Sequence, residues 1–138
     1  MELLVALDES EPGWEALEYA LREHPEDDIV VVHVVDLSQS GYGEFAHLGT
    51  KAIRDRQRAH AAELFDAARE RAAERGRELT TELLVGQPAA TIVDYAAERG
   101  VDRVIVGSHG RSGISRVLLG SVAERIARRA RVPVTIVR

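Results

Sequence analysis

Residues 104–110 read VIVGSHG, and after nine further residues Gly120 and Ser121 open the last predicted helix. A short apolar strand that ends in glycines and leads to the start of a helix is how α/β proteins commonly hold phosphate. Glycine allows close approach of the backbone and positive φ angles, and the first N–H groups of a helix have no partner inside it. This stretch therefore predicts an α/β fold with a nucleotide site.

The composition is typical of one globular domain, which we expect to span residues 1–138. The chain has 45% hydrophobic and 30% charged residues, no cysteine, and a net charge of −5 without a basic block. That charge argues against nucleic acid and anionic membranes as partners. The first apolar run has five residues, too few for a signal or membrane segment. Without cysteine, thiol chemistry and disulfides are excluded, and we expect a cytoplasmic protein.

Short β-branched runs alternate with stretches of helical period, which predicts the order βαβαβαβαβ. Strands so apolar are buried on both faces, and we expect one doubly wound, Rossmann-like parallel sheet with helices on both sides. The glycine-rich segment 36–49 is the long loop. The predicted strands are 3–7, 29–35, 79–85, 103–106 and 132–137, and the predicted helices are 11–23, 51–75, 88–98 and 118–130.

In a sheet of order 3-2-1-4-5, a crevice opens between the carboxyl ends of strands 1 and 4. We expect strand 1 to lead to Asp8 and strand 4 to lead to Gly107. Asp8 is either a helix-capping carboxylate or an acceptor for ribose hydroxyls or an adenine amino group. The topology and the glycines thus point to the same place.

Around a phosphate, the expected donors are the Ser121 hydroxyl and the backbone N–H groups of Ser121 and Val122. Arg111 either reaches in from the loop or is a solvated surface residue, and His109 either donates to a phosphate or faces water. The alternative is that residues 107–113 form an ordinary loop and Gly120 serves tight packing between helix and strand.

Other motifs do not indicate a known catalytic site. The single lysine, Lys51, is not in a P-loop, and the G-x-G-x-x-A match at 41–46 follows strand 2 instead of strand 1. We expect Ser108 and His109 to point to opposite sides, a poor nucleophile–base pair. His33 is interpreted as a satisfied core histidine. Three further histidines are interpreted as surface residues without metal partners: His24, His47 and His60.

The last strand, at 132–137, is apolar and lies at the predicted edge of the sheet, where Pro133 is tolerated. An uncharged apolar edge either aggregates or pairs with a partner. We expect a homodimer through this strand, from Val132 to Val137.

Three motifs give the chain a resemblance to the universal stress protein family over essentially its whole length. They are Asp8-x-Ser10, the strand segment HVVD at 33–36, and the stretch from Gly107 to Val122 followed by a Pro-Val strand. The spacing G-x2-G-x9-G-S/T resembles the ATP-binding subclass of that family.

The resemblance implies that Asp8 and the backbone of Val34 hold adenine and ribose, beside Ala6. It also implies homodimers paired through strand 5 and an adenine nucleotide, ATP or AMP, with Mg²⁺ or Mn²⁺ on the phosphates. The residues it places around ribose and phosphates are Val106, Gly107, His109, Gly110, Arg111, Gly120, Ser121 and Val122.

We therefore expect a nucleotide-binding stress-response protein without identifiable catalytic residues. Two alternatives stay open. One is a slow ATP hydrolase or nucleotide-dependent switch in which Asp8 or His109 places the water, and the other is an interaction module with an empty pocket.

Overall fold

The computed structural model describes residues 1–37, 49–109 and 119–138. Its elements follow the predicted βαβαβαβαβ order. The strands are β1 (Glu2–Ala6), β2 (Asp28–Val35), β3 (Thr80–Val85), β4 (Arg103–Gly107) and β5 (Val134–Val137). The helices are α1 (Glu11–Glu23), α2 (Gly49–Ala73), α3 (Pro88–Arg99) and α4 (Ser121–Arg129).

The five strands form one parallel sheet of order β3-β2-β1-β4-β5, which confirms the predicted topology. β1 lies at the centre, with Leu4 opposite Val30 of β2 on one side and Val104 of β4 on the other. The chain leaves β1 in one direction for β2 and β3, and returns past β1 to form β4 and β5. The carboxyl ends of β1 and β4 therefore flank the topological switch point.

Each face of the sheet carries its own apolar core. On one face, β1 and β2 pack against α1 and α2 through side chains such as Leu3, Leu17 and Phe65. On the other face, Leu4 and its neighbours pack against α3 and α4 through Ile126 and other apolar side chains. Burial of each such side chain stabilises the fold by about 1.5–3 kcal/mol, and the double cover explains why the central strands β1, β2 and β4 are almost wholly apolar.

Several element boundaries differ from those predicted. β1 ends at Ala6, although the Leu7 N–H still donates to the Val32 carbonyl at 2.9 Å. α4 begins at Ser121 and not at 118, because Gly120 is its N-cap with extended backbone angles. β5 begins at Val134, because Pro133 has no N–H and joins β4 only through its carbonyl, which accepts from Val104.

Two glycines near helix ends have positive φ angles. Gly76 follows α2 with φ 67°, and Gly100 is the C-cap of α3 with φ 74°. A left-handed backbone conformation after a helix favours glycine, which has no Cβ to strain. Among the described helices, even the 25-residue α2 is too polar to span a bilayer.

Candidate functional site: an apolar cleft with a polar mouth

A cleft opens at the carboxyl ends of β1, β2 and β4, beside α3 and α4. It encloses about 670 Å³, counting its open mouth. Its inner wall is apolar and includes Val32 and Val34 of β2, Ile92 of α3 and Ile126 of α4. The cleft therefore combines an apolar interior with the switch-point position at which open parallel sheets bind ligands.

Seven of the predicted site residues line this cleft. They are Ala6, Asp8, Val34, Val106, Gly107, His109 and Val122. Gly120 and Ser121 lie at the start of α4, adjacent to Val122, without lining the cleft themselves. Gly110 and Arg111 lie outside the described residues.

Asp8 is held by the residue that caps α1. Its Oδ1 accepts the Ser10 backbone N–H at 3.0 Å and is also contacted by the Ser10 hydroxyl. The same hydroxyl oxygen accepts the Gly13 N–H at 3.2 Å as the N-cap of the helix. Asp8 is therefore not itself the helix cap, and its Oδ2 has no partner among the described residues.

Gly13 makes room for the Asp8 carboxylate. A Cβ at this position would lie 2.7 Å from Asp8 Oδ1, closer than a carbon atom packs against an oxygen. Gly13 and Ser10 also line the cleft. Sequence reasoning named Ser10 in the Asp8-x-Ser10 motif without placing it in the cleft, and it missed Gly13. The usable signal was the pattern Asp8-x-Ser10 followed three residues later by glycine.

Two glycines of the G-x2-G-x9-G spacing serve internal packing. Neither Gly107 nor Gly120 has a positive φ angle. A Cβ on Gly107 would lie 2.6 Å from the backbone carbon of Pro12, and one on Gly120 would lie 2.9 Å from the His109 Cα. The alternative interpretation of Gly120 as a tight contact is thus confirmed. Gly107 lets the first turn of α1 lie directly against the end of β4.

The N-terminus of α4 lacks a side-chain cap within the described part of the chain. The N-cap Gly120 donates its own N–H to the Ser108 carbonyl at 2.7 Å. The first-turn N–H groups of Ser121, Val122 and Ala123 follow, and Val122 and Ala123 line the cleft. Uncapped N–H groups at a helix start, together with the helix dipole, favour an anion.

The expectation that Ser108 and His109 point apart is wrong. The Ser108 Oγ lies 3.0 Å from the His109 Nδ1, within hydrogen-bond distance. The alternation that holds along a strand no longer applies here, because β4 ends at Gly107 and the backbone bends at both residues. Ser108 is only 1% exposed, so its hydroxyl is not accessible as a nucleophile.

His33 is hydrogen-bonded as expected but is not a core residue. Its Nδ1 lies 2.9 Å from the Leu7 carbonyl oxygen, and its half-buried ring lines the cleft. Its ring centroid lies 6.3 Å from that of His60 on α2, which itself contacts the Glu9 carboxylate. The position of His33 within an apolar run favours a core residue. The ring is instead half-buried, because β1 ends at Ala6 and leaves this part of β2 without a neighbouring strand on that side.

The cleft also contains residues that sequence reasoning did not assign to it, mostly from α3, α4 and β2. Motifs did not reveal them, because apolar residues of a helix look alike whether they meet the sheet or a cavity. They are Leu7, Ser10, Gly13, Val32, His33, Pro88, Ile92, Ala123 and Ile126.

Comparison with known proteins places the chain in a family. The model of the universal stress protein family matches residues 1–138. The chain belongs to the universal stress protein family. A universal stress protein of Methanocaldococcus jannaschii is 32% identical over 139 residues, covering 99% of this chain and 81% of the relative. One of Bacillus subtilis is 31% identical over 145 residues, covering 99% and 98%.

Solved structures of the family share this fold. The universal stress protein UspA of Lactobacillus plantarum superposes with a TM-score of 0.86 at 25% identity, covering 100% of this chain and 97% of that one. A universal stress protein of Archaeoglobus fulgidus in complex with dAMP superposes with a TM-score of 0.72 at 24% identity, covering 100% and 98%.

Proposed function

We propose that this protein binds an adenine nucleotide in the cleft, with the base in the apolar interior and the phosphates near the start of α4. The observation that carries the proposal is the meeting of three features at one opening. These are an apolar slot, the carboxylate of Asp8, and the N-terminus of α4. A nucleoside phosphate carries the complementary groups in the same order: a flat base for the apolar slot, ribose hydroxyls for the carboxylate, and a phosphate for the helix N-terminus.

The end of β2 supports adenine recognition by the backbone. Val32 accepts from Leu7, while Val35 accepts from Gly86 of the segment after β3. Since the direction of these groups alternates along a strand, the Val34 N–H and carbonyl face the side where β1 has already ended. No backbone partner for them is found among the described residues. A donor and an acceptor side by side match the pairing edge of adenine.

Solved members of the family support the same ligand class. Structures with this fold include a universal stress protein in complex with cAMP, one in complex with dAMP, and an Arabidopsis thaliana family protein with AMP bound. These ligands were bound by the related proteins. They support the proposal for this chain because the lining of its own cleft also suits a nucleotide.

We further propose ATP as a ligand, accompanied by Mg²⁺ or Mn²⁺. The described residues contain no group of three or more side chains able to hold a metal ion. The cation would therefore be held chiefly by phosphate oxygens, and Asp8 is the one carboxylate among the described residues that line the cleft. Bound there, it would neutralise phosphate charge.

Binding is tested by calorimetry with AMP, ATP with and without Mg²⁺, adenosine, GMP and inorganic phosphate. We expect saturable binding of the adenine nucleotides, and at about 100 times Kd a stabilisation of about 2.7 kcal/mol. Ala6→Leu fills the cleft and should weaken binding, whereas Ala127→Leu on the exposed face of α4 should not. Equal stabilisation by phosphate and AMP would contradict a base-binding slot.

A homodimer through β5 is also proposed, together with a role in the stress response and a cytoplasmic location. β5 pairs only with β4, and all four of its residues are half-buried, which leaves an apolar edge open within the described part of the sheet. Such an edge invites pairing with a second copy. The stress-response role rests on family membership.

A further inference from the structure

We infer that Ser108 is a positioning residue that sets the tautomer of His109, so that this imidazole offers an Nε2–H donor to the cleft. That a bound nucleotide accepts this hydrogen bond rests on the proposed function. The tautomer itself is a property of the free protein.

Ser108 is fixed from three sides. Its backbone N–H donates to the Val137 carbonyl at 2.8 Å, and its carbonyl accepts the Gly120 N–H at 2.7 Å. Its hydroxyl oxygen lies 3.0 Å from His109 Nδ1. It is also the one polar residue that is buried among those the structure describes. A buried hydroxyl held this firmly can dictate the orientation of its partner.

The direction of the Ser108–His109 hydrogen bond follows from what the hydroxyl can reach. Among the described residues, His109 Nδ1 is the partner found for Ser108 Oγ. If Nδ1–H donated to Oγ, the serine proton would be buried without an acceptor among the described residues, which is unfavourable. If the hydroxyl donates, no proton is left unsatisfied. The hydroxyl therefore donates to Nδ1, and the ring proton lies on Nε2.

His33 provides the opposite case in the same cleft. Its Nδ1 lies 2.9 Å from the Leu7 carbonyl oxygen, and a carbonyl can only accept. His33 therefore carries its proton on Nδ1 and leaves Nε2 as an acceptor. The cleft has one imidazole that donates and one that accepts. The donor is His109, on the side of α4 where an anion is favoured. As a donor toward the cleft, neutral His109 cannot act there as a general base.

The tautomers are read directly by 15N–1H long-range correlation spectra of the imidazoles in the free protein, at about pH 9, where histidine is normally neutral. His109→Gln and His33→Gln variants assign the signals. We expect the Nε2–H pattern for His109 and the Nδ1–H pattern for His33. An Nδ1–H pattern for His109 overturns the inference, whatever the protein binds.

The consequence for binding is tested by a double-mutant cycle that compares AMP with adenosine. Ser108→Ala should weaken AMP binding about threefold to tenfold and leave adenosine within about twofold, since a hydrogen bond to a charged group is lost or misdirected. In a His109→Gln background, whose amide carries its own N–H near the Nε2 position, Ser108→Ala should have no further effect on AMP.

The cycle separates positioning from mere packing. Equal weakening of AMP and adenosine by Ser108→Ala, or the same loss in the His109→Gln background, would show that the hydroxyl acts only on the fold and would overturn the inference. If neither AMP nor adenosine binds, the proposed function fails, and the tautomer assignment is then decided by the spectra of the free protein alone.

Discussion

Gly107 illustrates how a single residue can look like a ligand contact and act as a packing contact. Replacing it by alanine places a Cβ 2.6–2.7 Å from three Pro12 atoms, two of them backbone, so the first turn of α1 must shift. We expect Gly107→Ala to destabilise the fold by about 1–3 kcal/mol. Because the shifted turn carries Ser10 next to Asp8, adenine-nucleotide affinity should fall as well. Chemical denaturation and calorimetry measure the two effects.

Gly76→Ala is the matched control for that prediction. Gly76 has φ 67°, and a Cβ added to it would have no neighbour within 4 Å, so alanine meets only backbone strain of about 1–2 kcal/mol. We expect a comparable loss of stability with unchanged nucleotide affinity, because Gly76 is remote from the cleft. If Gly107→Ala also left affinity unchanged, the coupling between α1 and Asp8 would be wrong.

Asp27 makes stability depend on pH. A hydrogen bond from His24, with Nδ1 3.0 Å from Asp27 Oδ2, lowers the pKa of Asp27 below its ordinary value of 3.8. A carboxyl group with a lowered pKa stabilises the folded state above the unfolded pKa and loses this effect as the pH falls through the folded pKa. Asp27→Asn should therefore be destabilising at pH 7, with a difference that shrinks below about pH 4.

Urea midpoints measured from pH 7 down to pH 3 test the Asp27 prediction. Asp66→Asn is the control, since the Asp66 side chain is 75% exposed and contacts Arg69 only at 3.4 Å. Such exposed pairs contribute little to stability. We therefore expect the difference in urea midpoint between Asp66→Asn and the wild type to change little across this pH range. If Asp27→Asn lowered the urea midpoint by the same amount at every pH, ionisation of Asp27 would have no role in stability.

At the scale of elements, α1 connects helix capping to the candidate site. Ser10 caps the helix through Gly13 and contacts Asp8. Ser10→Ala should cost about 0.5–2 kcal/mol of stability and also release Asp8, which weakens nucleotide binding. Gln87→Ala removes the cap of α3, where Gln87 accepts the Ala90 N–H at 2.7 Å. It should cost stability without changing the orientation of Asp8. If Ser10→Ala and Gln87→Ala changed nucleotide affinity equally, Ser10 would not act on binding through Asp8.

The elements themselves could largely be predicted from the sequence. Apolar runs such as that of β2 and the periodic helices have signals several residues long, and the strand order is that of a doubly wound, Rossmann-like sheet. The ends were less predictable. α4 begins at Ser121 because Gly120 bonds to Ser108, a residue from another part of the chain. Local sequence carries no record of such a partner.

For the whole molecule, the free edge of β5 predicts assembly. The carbonyls of Pro133 and Val137 accept from Val104 and Ser108, so by alternation the Ile136 N–H points to the open edge. Ile136→Pro should therefore weaken dimerisation while it leaves the β4–β5 hydrogen bonds in place. The mass in solution, measured by sedimentation or light scattering over a concentration series, reports the result.

The opposite edge provides the control. Gly86 donates to Val35, so the Val85 N–H points away from β2, and the Val85 side chain is 63% exposed. Val85→Pro should leave the oligomeric state unchanged. A monomeric wild-type protein, or a dimer lost only on Val85→Pro, would refute assembly through β5.

The sequence by itself determined the parallel fold and the place of the crevice, because burial on both faces is read from local patterns and a doubly wound sheet opens at its switch point. Four of the seven predicted residues that line the cleft follow from the sequence pattern: Asp8, Gly107, His109 and Val122. The other three, Ala6, Val34 and Val106, follow from the family resemblance. Only the tertiary structure decided why Gly107 and Gly120 are glycines, that Ser10 and Gly13 hold Asp8, and that Ser108 meets His109. The two glycines depend on atoms of Pro12 and His109, which come from other parts of the chain, and no spacing along the chain encodes how closely they approach. The contacts of Ser10 and Ser108 join near neighbours, but their directions depend on backbone bends that a residue pattern does not specify.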